Sequence, residues 1–262
     1  MYETRYHRPS TLAEARALFN ADARYIAGGQ TLLPTMKQRL AAPTDLIDIA
    51  RLAELKGISV ANGVVSIGGG TTHAEVAASD AVRKAIPALA ALAALIGDPA
   101  VRHMGTIGGS LANNDPAADY AAAVLALGAT IHTDQRAIPA DDFIRGLFAT
   151  ALEDGEIIVR VDFPVPDRAA YEKFRNPASR YALAATFIAK GPGGIRVAVT
   201  GAGNNGAFRA AEIERALSAD WSPAAIDAVT IDPATMLGDI HATPAYRANL
   251  VKVTARRALA KA

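Results

Sequence analysis

Residues 101–114 read VRHMGTIGGSLANN and follow an alanine-rich segment that we predict to be helical. Three of these residues are glycine, and Thr106 and Ser110 place small hydroxyls beside them. Glycine adopts positive φ and lets a ligand approach the main chain closely. Apart from one histidine, the stretch holds no side chain suited to acid, base or nucleophilic chemistry. Its pattern therefore predicts a turn that binds a ligand through main-chain groups.

A second stretch of the same design, AGGQT, occupies residues 27–31. Consecutive N–H groups in such a turn form a concave anion site, and a helix N-terminus adds a favourable potential. Two cradles of this kind suit a pyrophosphate, which needs donors on both phosphates. Neither stretch is G-x-G-x-x-G or a P-loop, so the pattern does not indicate a Rossmann site. Paired glycines that form only tight turns are the alternative.

Charge and cysteine content exclude several classes of protein. The 262 residues include 27 Lys and Arg against 26 Asp and Glu, which leaves a formal charge of +1. A general nucleic-acid binder needs a concentrated basic face, and no basic run occurs here. The chain has no cysteine, so it can form no disulfide, thiolate metal site or cysteine-ligated iron–sulfur cluster of its own.

The sequence contains no segment typical of export or membrane insertion. The first residues have no apolar core of a secretory signal. The longest apolar run, AIPALAALAALIG at 85–97, is too short to span a bilayer and instead predicts a buried helix. We expect no transmembrane segment, and a cytoplasmic location fits this pattern.

The order of predicted elements favours an α+β fold. Apolar strands flank Asn62-Gly63, which is a strong hairpin signal. The stretch EIIVRVDFPVP at 156–166 predicts a strand that ends at a proline, and we expect a domain boundary in the region Pro164–Arg168. Three strands follow, and helices are predicted at about 209–217, 222–228 and 243–260. Strands succeeded by helices indicate helices on one face of an antiparallel sheet.

Three motifs together resemble the FAD-binding medium subunit of the molybdenum hydroxylases, the xanthine dehydrogenase and carbon monoxide dehydrogenase family. They are AGGQTLLPTMK at 27–37, IGDPAVRHMGTIGGSLANNDPAADY at 96–120 and YEKFRNPASRYALA at 171–184. Their order and spacing are similar to those of the family over essentially the full length. The resemblance is strongest to medium chains of the carbon monoxide dehydrogenase type.

The resemblance implies a particular division of the chain. An FAD-binding domain of the vanillyl-alcohol oxidase and p-cresol methylhydroxylase type is expected over residues 1–164, with lobes at about 1–53 and 54–164. A C-terminal domain over residues 165–262 is expected to combine a three-stranded antiparallel sheet with a helical bundle.

The resemblance also implies cofactor-binding residues. The two glycine stretches are expected to hold the FAD pyrophosphate. Asp119 is expected against FAD hydroxyls, Lys173 near the isoalloxazine, Tyr181 over the ring, and Val159 against FAD through its main chain. The full set is Ala27, Gly28, Gly29, Gln30, Thr31, Leu32, Thr106, Ile107, Gly108, Gly109, Ser110, Asp119, Val159, Lys173 and Tyr181.

No catalytic side chain or metal site is expected in this chain. His73, His103, His132 and His241 lack the spacing of metal ligands, so we interpret them as structural or surface residues.

The function implied by the resemblance is electron transfer through FAD. Two [2Fe–2S] clusters are expected in a small partner subunit and a molybdenum–pterin cofactor in a large one, in a dimer of heterotrimers. An external acceptor is expected to take the electrons, and the complex could sit at the inner face of the membrane. A self-sufficient flavin oxidase, a non-redox nucleotide-binding module and a scaffold whose glycine turns bind nothing are the alternatives.

Overall fold

The computed structural model describes all 262 residues and confirms the α+β class. The first lobe is built on a small sheet in the order β1–β3–β2, whose pairings are parallel. Thr11 caps its first helix by accepting the Glu14 N–H. The elements of this lobe are β1 (Arg5–His7), α1 (Leu12–Leu18), β2 (Ala23–Ile26), α2 (Leu32–Lys37) and β3 (Asp45–Asp48).

The second lobe carries a five-stranded antiparallel sheet in the order β4–β5–β10–β6–β7. The predicted hairpin at Asn62-Gly63 is confirmed, since both residues have positive φ between β4 and β5. The strands are β4 (Ile58–Ala61), β5 (Val64–Gly68), β6 (Thr130–Thr133), β7 (Ala137–Pro139) and β10 (Ile158–Pro164), with a separate small hairpin of β8 (Ile144–Gly146) and β9 (Ala149–Thr150).

Short helices make up most of the chain between β5 and β6. They cover one face of this second sheet. Several begin at a side-chain cap, because Thr72, Ser79, Asp98 and Thr106 each accept a first-turn N–H. The helices are α3 (His73–Ala78), α4 (Asp80–Ala85), α5 (Pro87–Ala94), α6 (Pro99–Met104), α7 (Ile107–Asn113), α8 (Asp119–Leu127) and α9 (Ala140–Phe143).

The C-terminal part has a four-stranded antiparallel sheet rather than the expected three strands. The fourth strand is a two-residue edge piece, and the three long strands lie where the sequence predicts them. The three helices also match the prediction. The elements are β11 (Arg168–Arg175), β12 (Ala182–Gly191), β13 (Gly194–Thr200), β14 (Phe208–Arg209), α10 (Ala211–Ala219), α11 (Pro223–Asp227) and α12 (Pro244–Leu259).

Helix α8 joins the second lobe to the C-terminal sheet. Every residue of α8 is buried, and the helix packs against α5 on one side and against β12 and β13 on the other. Four of its nine residues are alanine, so backbones approach closely on both sides. Gly128, with φ of +61°, ends the helix in the left-handed conformation that glycine adopts without strain.

Three apolar cores result from this packing. The largest has 33 buried residues and runs without interruption from the second lobe into the C-terminal sheet. A second core lies between that sheet and the C-terminal helices. The first lobe has its own core of 7 buried residues. No helix is both long and apolar enough to cross a membrane.

Candidate FAD site

A cleft of about 900 Å³ lies where the first lobe, the second lobe and the β11–β12 loop meet. This volume is within the usual range of cofactor pockets, which is roughly 300–1,000 Å³. Of the predicted cofactor residues, all but Ile107 and Val159 line it, and their contacts with a cofactor stay predictions. The lining residues from the predicted set are Ala27, Gly28, Gly29, Gln30, Thr31, Leu32, Thr106, Gly108, Gly109, Ser110, Asp119, Lys173 and Tyr181.

The first glycine stretch forms a loop with unused main-chain donors. None of the five consecutive N–H groups from Ala27 to Thr31 donates a hydrogen bond within the protein. Gly29 has φ of +67°, which turns successive N–H groups toward one side. The Thr31 hydroxyl makes no capping bond to α2. This loop therefore offers a concave set of donors to an anion in the cleft.

Gly28 brings this loop against the second lobe. A Cβ at Gly28 would lie 2.1 Å from the Met104 carbonyl oxygen and 2.7 Å from the Gly105 Cα. Real side chains do not tolerate such distances, so only glycine fits. The first lobe thus meets the end of α6 at the base of the cleft.

The second glycine stretch is helical, and this corrects the expectation that it offers free main-chain donors. Residues 107–113 form α7, and Thr106 is its N-cap. Four N–H groups of the stretch are used by the protein, and the Thr106 N–H alone is unpaired. The four are Ile107 to the Thr71 carbonyl (3.1 Å), Gly108 to the Gly69 carbonyl (2.8 Å), Gly109 to the Thr106 hydroxyl (3.1 Å) and Ser110 to the Thr106 carbonyl (3.0 Å).

The two glycines of this stretch differ in their surroundings. A Cβ at Gly108 would lie 2.6 Å from the Gly69 carbonyl oxygen, and a Cβ at Gly69 would lie 2.1 Å from the Ile158 carbonyl oxygen. Gly108 therefore serves close packing of main chains. Gly109 is exposed and would meet only the Thr106 hydroxyl, at 3.0 Å. A bulky residue at Gly108 would therefore disturb the fold.

A buried ion pair lies at the other end of the cleft. Asp119 begins α8, and Lys173 lies on β11 with a side chain that is 1% exposed. The Lys173 Nζ is 2.8 Å from Asp119 Oδ1 and 3.0 Å from Oδ2, and it donates to the Leu95 carbonyl at 3.3 Å. The Tyr171 hydroxyl also donates to Asp119.

Burial and nearby charges set the pKa values of the Asp119 carboxyl and of the Tyr171 phenol that donates to it. Burial raises the pKa of the Asp119 carboxyl, and the Lys173 ammonium works in the opposite direction. Burial, followed by the charge of Asp119, holds the pKa of Tyr171 well above its usual value, so the phenol stays a donor. Asp119 thus uses most of its acceptor capacity within the protein, which leaves less for FAD hydroxyls.

Tyr181 lies at the rim of this end and is 56% exposed. It follows a loop in which the Asn176 side chain accepts from the Ala178 and Ser179 N–H groups. The neighbouring Arg180 has φ of +65°. The loop is therefore ordered by local bonds and presents the tyrosine ring to the cleft.

Two predicted residues lie outside the cleft lining. Ile107 is fully buried in the large core. Val159 packs against the small core of the first lobe, and its carbonyl accepts from the Gly69 N–H at 2.7 Å. The neighbouring Ile157 and Ile158 line the cleft instead.

Sequence reasoning missed part of the second-lobe wall. Gly69, Gly70 and His73 line the cleft directly after β5. The run of three glycines at 68–70 was a usable signal, because it repeats the small-residue pattern of the other two stretches. At the first-lobe end, Arg24 and Tyr25 of β2 also line the cleft.

Comparison with known proteins agrees with this geometry. The family profile described as "FAD binding domain in molybdopterin dehydrogenase" matches residues 2–166. The carbon monoxide dehydrogenase medium chain of Afipia carboxidovorans is 34% identical over 98% of this chain and 96% of its own length. The medium chain from Hydrogenophaga pseudoflava is 38% identical over 74% of this chain and 73% of its own length.

Solved structures give the same result. Reconstituted carbon monoxide dehydrogenase from Oligotropha carboxidovorans superposes with a TM-score of 0.90 at 33% identity, covering 100% of this chain and 99% of that chain. Quinoline 2-oxidoreductase from Pseudomonas putida 86 gives a TM-score of 0.89 at 30% identity, covering 100% and 97%.

The fold and the cleft therefore define a flavoprotein component of an oxidoreductase with FAD as its cofactor. The chain belongs to the FAD-binding medium subunits of the molybdenum hydroxylase family and is of the carbon monoxide dehydrogenase medium-chain type.

The cleft fits this cofactor on structural grounds. Five unpaired main-chain donors at its base suit a diphosphate, and its volume suits a dinucleotide.

Proposed function

We propose that this chain carries electrons through FAD, from [2Fe–2S] clusters in a small partner subunit to an external acceptor. A large partner subunit would hold the molybdenum–pterin cofactor, and the assembly would be a dimer of heterotrimers in the cytoplasm. The observation that carries the proposal is the set of five unpaired N–H groups from Ala27 to Thr31, which opens onto a cleft. The medium-chain names of the relatives support partner subunits.

Different parts of FAD would bind at the two ends of the cleft. The Ala27–Thr31 loop would hold the diphosphate, because its donors are free and concave. Lys173 and Tyr181 would face the isoalloxazine at the C-terminal end, and Asp119 beside Lys173 would lie against FAD hydroxyls. When bound, FAD supplies the redox chemistry, and the protein supplies binding and electrostatics.

Lys173 would favour the reduced cofactor by its positive charge. Its side chain is buried, so solvent screens the charge little. Asp119 partly neutralises it and holds its position together with the Leu95 carbonyl. The variant Lys173→Met should therefore lower the flavin midpoint potential, which spectroelectrochemistry measures, with Lys190→Met on the far end of β12 as the matched control.

The division of the chain into residues 1–164, with lobes at about 1–53 and 54–164, and residues 165–262 also stays a proposal. Limited proteolysis of the full chain tests it. Cleavage between β10 and β11 is expected if the boundary at Pro164 is accessible.

Co-purification tests the assembly. A tagged full chain expressed in its native cell should bring down a molybdenum-containing subunit and an iron–sulfur subunit, and should carry about one FAD per chain. In the purified complex, substrate should reduce the clusters and then the flavin in rapid-mixing experiments.

A single result would overturn the proposal. If the isolated chain with FAD oxidised an alcohol at the rate of the complex, it would be a self-sufficient oxidase.

A further inference from the structure

The second-lobe wall of the cleft has few free main-chain donors, yet one buried polar side chain there lacks any partner. His73 begins α3, lines the cleft and is 5% exposed. Its main-chain N–H donates to the Gly105 carbonyl at 3.0 Å, which fixes the residue beside the base of the cleft. Its imidazole forms no hydrogen bond within the protein.

The two ring nitrogens of His73 differ in environment. Nδ1 is fully buried and has no hydrogen-bond partner. Nε2 also has no partner in the protein but is not fully buried, and it lies on the Gly105 side of the ring, 2.7 Å from where a Cβ of that residue would be. The Tyr120 ring, with its centroid at 5.4 Å, packs against the imidazole.

The chemistry of this environment favours a neutral imidazole. Burial, with a smaller contribution from Arg102, lowers the pKa of His73 to about 4. A neutral ring has one N–H and one lone pair. A proton on Nδ1 would have no acceptor in reach, whereas a proton on Nε2 can meet a ligand in the cleft. A neutral ring with its proton on Nε2 would therefore be a donor toward the cleft.

Gly105 connects this donor to the first glycine loop. A Cβ at Gly28 would lie 2.7 Å from the Gly105 Cα, so that loop also contacts Gly105. The unpaired N–H of Thr106 is the next main-chain group. An anion held by the Ala27–Thr31 loop would therefore sit beside His73 and Thr106.

We propose that His73 donates its Nε2–H to the FAD diphosphate and, with the Thr106 N–H, provides the second-lobe half of that site. The inference rests on the proposed placement of the diphosphate at the first glycine loop. It adds a side-chain donor to the one free main-chain donor of the Thr106–Ser110 stretch, whose other four N–H groups are paired within the protein. The residue would thus act as a cofactor-binding group.

Ligand dissociation constants of the full chain test this assignment. The variant His73→Leu removes the donor, His73→Gln keeps an N–H, and His103→Leu is the matched control, because His103 is exposed and does not line the cleft. The probes are FAD, ADP, which keeps the diphosphate, and riboflavin, which lacks it. Fluorescence quenching measures the flavins and calorimetry measures ADP.

The expected result is selective. His73→Leu should bind FAD and ADP about 10-fold to 100-fold more weakly, the usual effect of losing one hydrogen bond to a charged group. Riboflavin affinity should change less than about twofold, and His103→Leu should match the wild type for all three probes. His73→Gln should regain part of the lost affinity for FAD and ADP.

Two outcomes would overturn the assignment: unchanged FAD affinity in His73→Leu, or an equal loss for riboflavin. Failure of the wild-type chain to bind FAD would instead overturn the proposed function. If His73→Leu does not fold, ¹⁵N NMR of histidine-labelled full chain reads the same bond. The His73 signals, assigned with His73→Gln, should report a proton on Nε2 that shifts downfield when ADP is added, and a proton on Nδ1 would contradict the proposal.

Discussion

The two glycine stretches look alike in sequence and differ in structure. Ala27–Thr31 is a loop with five unpaired N–H groups and a positive φ at Gly29. Thr106–Ser110 is a capped first turn of helix whose N–H groups serve the protein, with one exception. Gly29 of the first stretch provides the turn conformation, whereas Gly108 of the second permits close packing of main chains. The same residue type therefore shapes a loop with unpaired donors in one place and permits close packing of main chains in the other.

The largest expected effect comes from Gly108→Val. Its side chain would overlap the Gly69 main chain, which cannot move because Gly69 is itself packed against Ile158. The free energy of unfolding without FAD should fall by about 3 kcal/mol or more, in the range of severe overpacking. Urea unfolding measures the loss.

Gly109→Ala is the control for this variant, because its Cβ meets only the Thr106 hydroxyl. Its stability should stay within about 1 kcal/mol of the wild type, since alanine also favours the helix. Equal losses for Gly108→Val and Gly109→Ala would contradict the packing role of Gly108.

A second effect follows from the protonation of His73. Because its folded pKa of about 4 lies below the ordinary value of 6.5, the folded state binds fewer protons than the unfolded state. Stability is then lost as the pH falls below 6.5, and the loss levels off near pH 4. The cost should reach about 2 kcal/mol at pH 5.

Urea unfolding of the FAD-free chain at pH 7 and pH 5 checks this cost. His73→Leu should lose about 2 kcal/mol less than the wild type over this interval, whereas His103→Leu should behave like the wild type. A parallel pH dependence in all three proteins would mean that His73 is not held neutral.

A third comparison separates the effect of backbone conformation on stability from its effect on FAD binding. Gly29→Ala places a side chain at φ of +67°, and Gly63→Ala does so at φ of +73° in the β4–β5 turn. Each substitution should cost about 1–2 kcal/mol of stability, because a Cβ strains the left-handed conformation. FAD affinity, measured by fluorescence titration, should fall only for Gly29→Ala.

Gly63→Ala is thus the matched control, and no atom lies within 4 Å of its new Cβ. If Gly29→Ala retained full affinity, the first loop would not hold the diphosphate.

The smallest effect concerns the two threonines. Thr106→Val removes the cap to the Gly109 N–H and should cost about 1 kcal/mol of stability. Thr31→Val removes no capping bond, so its stability should not change, while FAD binding should weaken if the hydroxyl meets a phosphate. Thermal melts and FAD titrations of both variants, side by side, give the result. A loss of stability in Thr31→Val would contradict the expected difference between a capping Thr106 and a non-capping Thr31.

Local signals were enough to predict much of the fold. The β4–β5 hairpin depends on two adjacent turn residues, and the C-terminal strands and helices depend on hydrophobic patterning within each segment. The helix over Ile107–Asn113 was missed, because two adjacent glycines have low helix propensity. Its Thr106 cap and the burial of Ile107 and Leu111 outweigh that preference.

The site was less predictable where it depends on distant contacts. Family resemblance named Asp119 and Lys173 separately, yet their pairing joins residues 54 positions apart. The His73 side chain is unpaired because the folded chain places no hydrogen-bond partner near its ring nitrogens, and no sequence pattern encodes this. Three-dimensional packing therefore decides which polar groups remain available to a ligand.

The second lobe and the C-terminal sheet share one apolar core beside α8, and this affects how the chain can be truncated for expression. The end of β10 at Pro164 separates two sheets along the chain, but 33 buried residues pack across that point. A fragment truncated there would expose the apolar side of α8 to water and would be expected to aggregate. The end of the family match at residue 166 is thus unsuitable as the end of an expressed fragment.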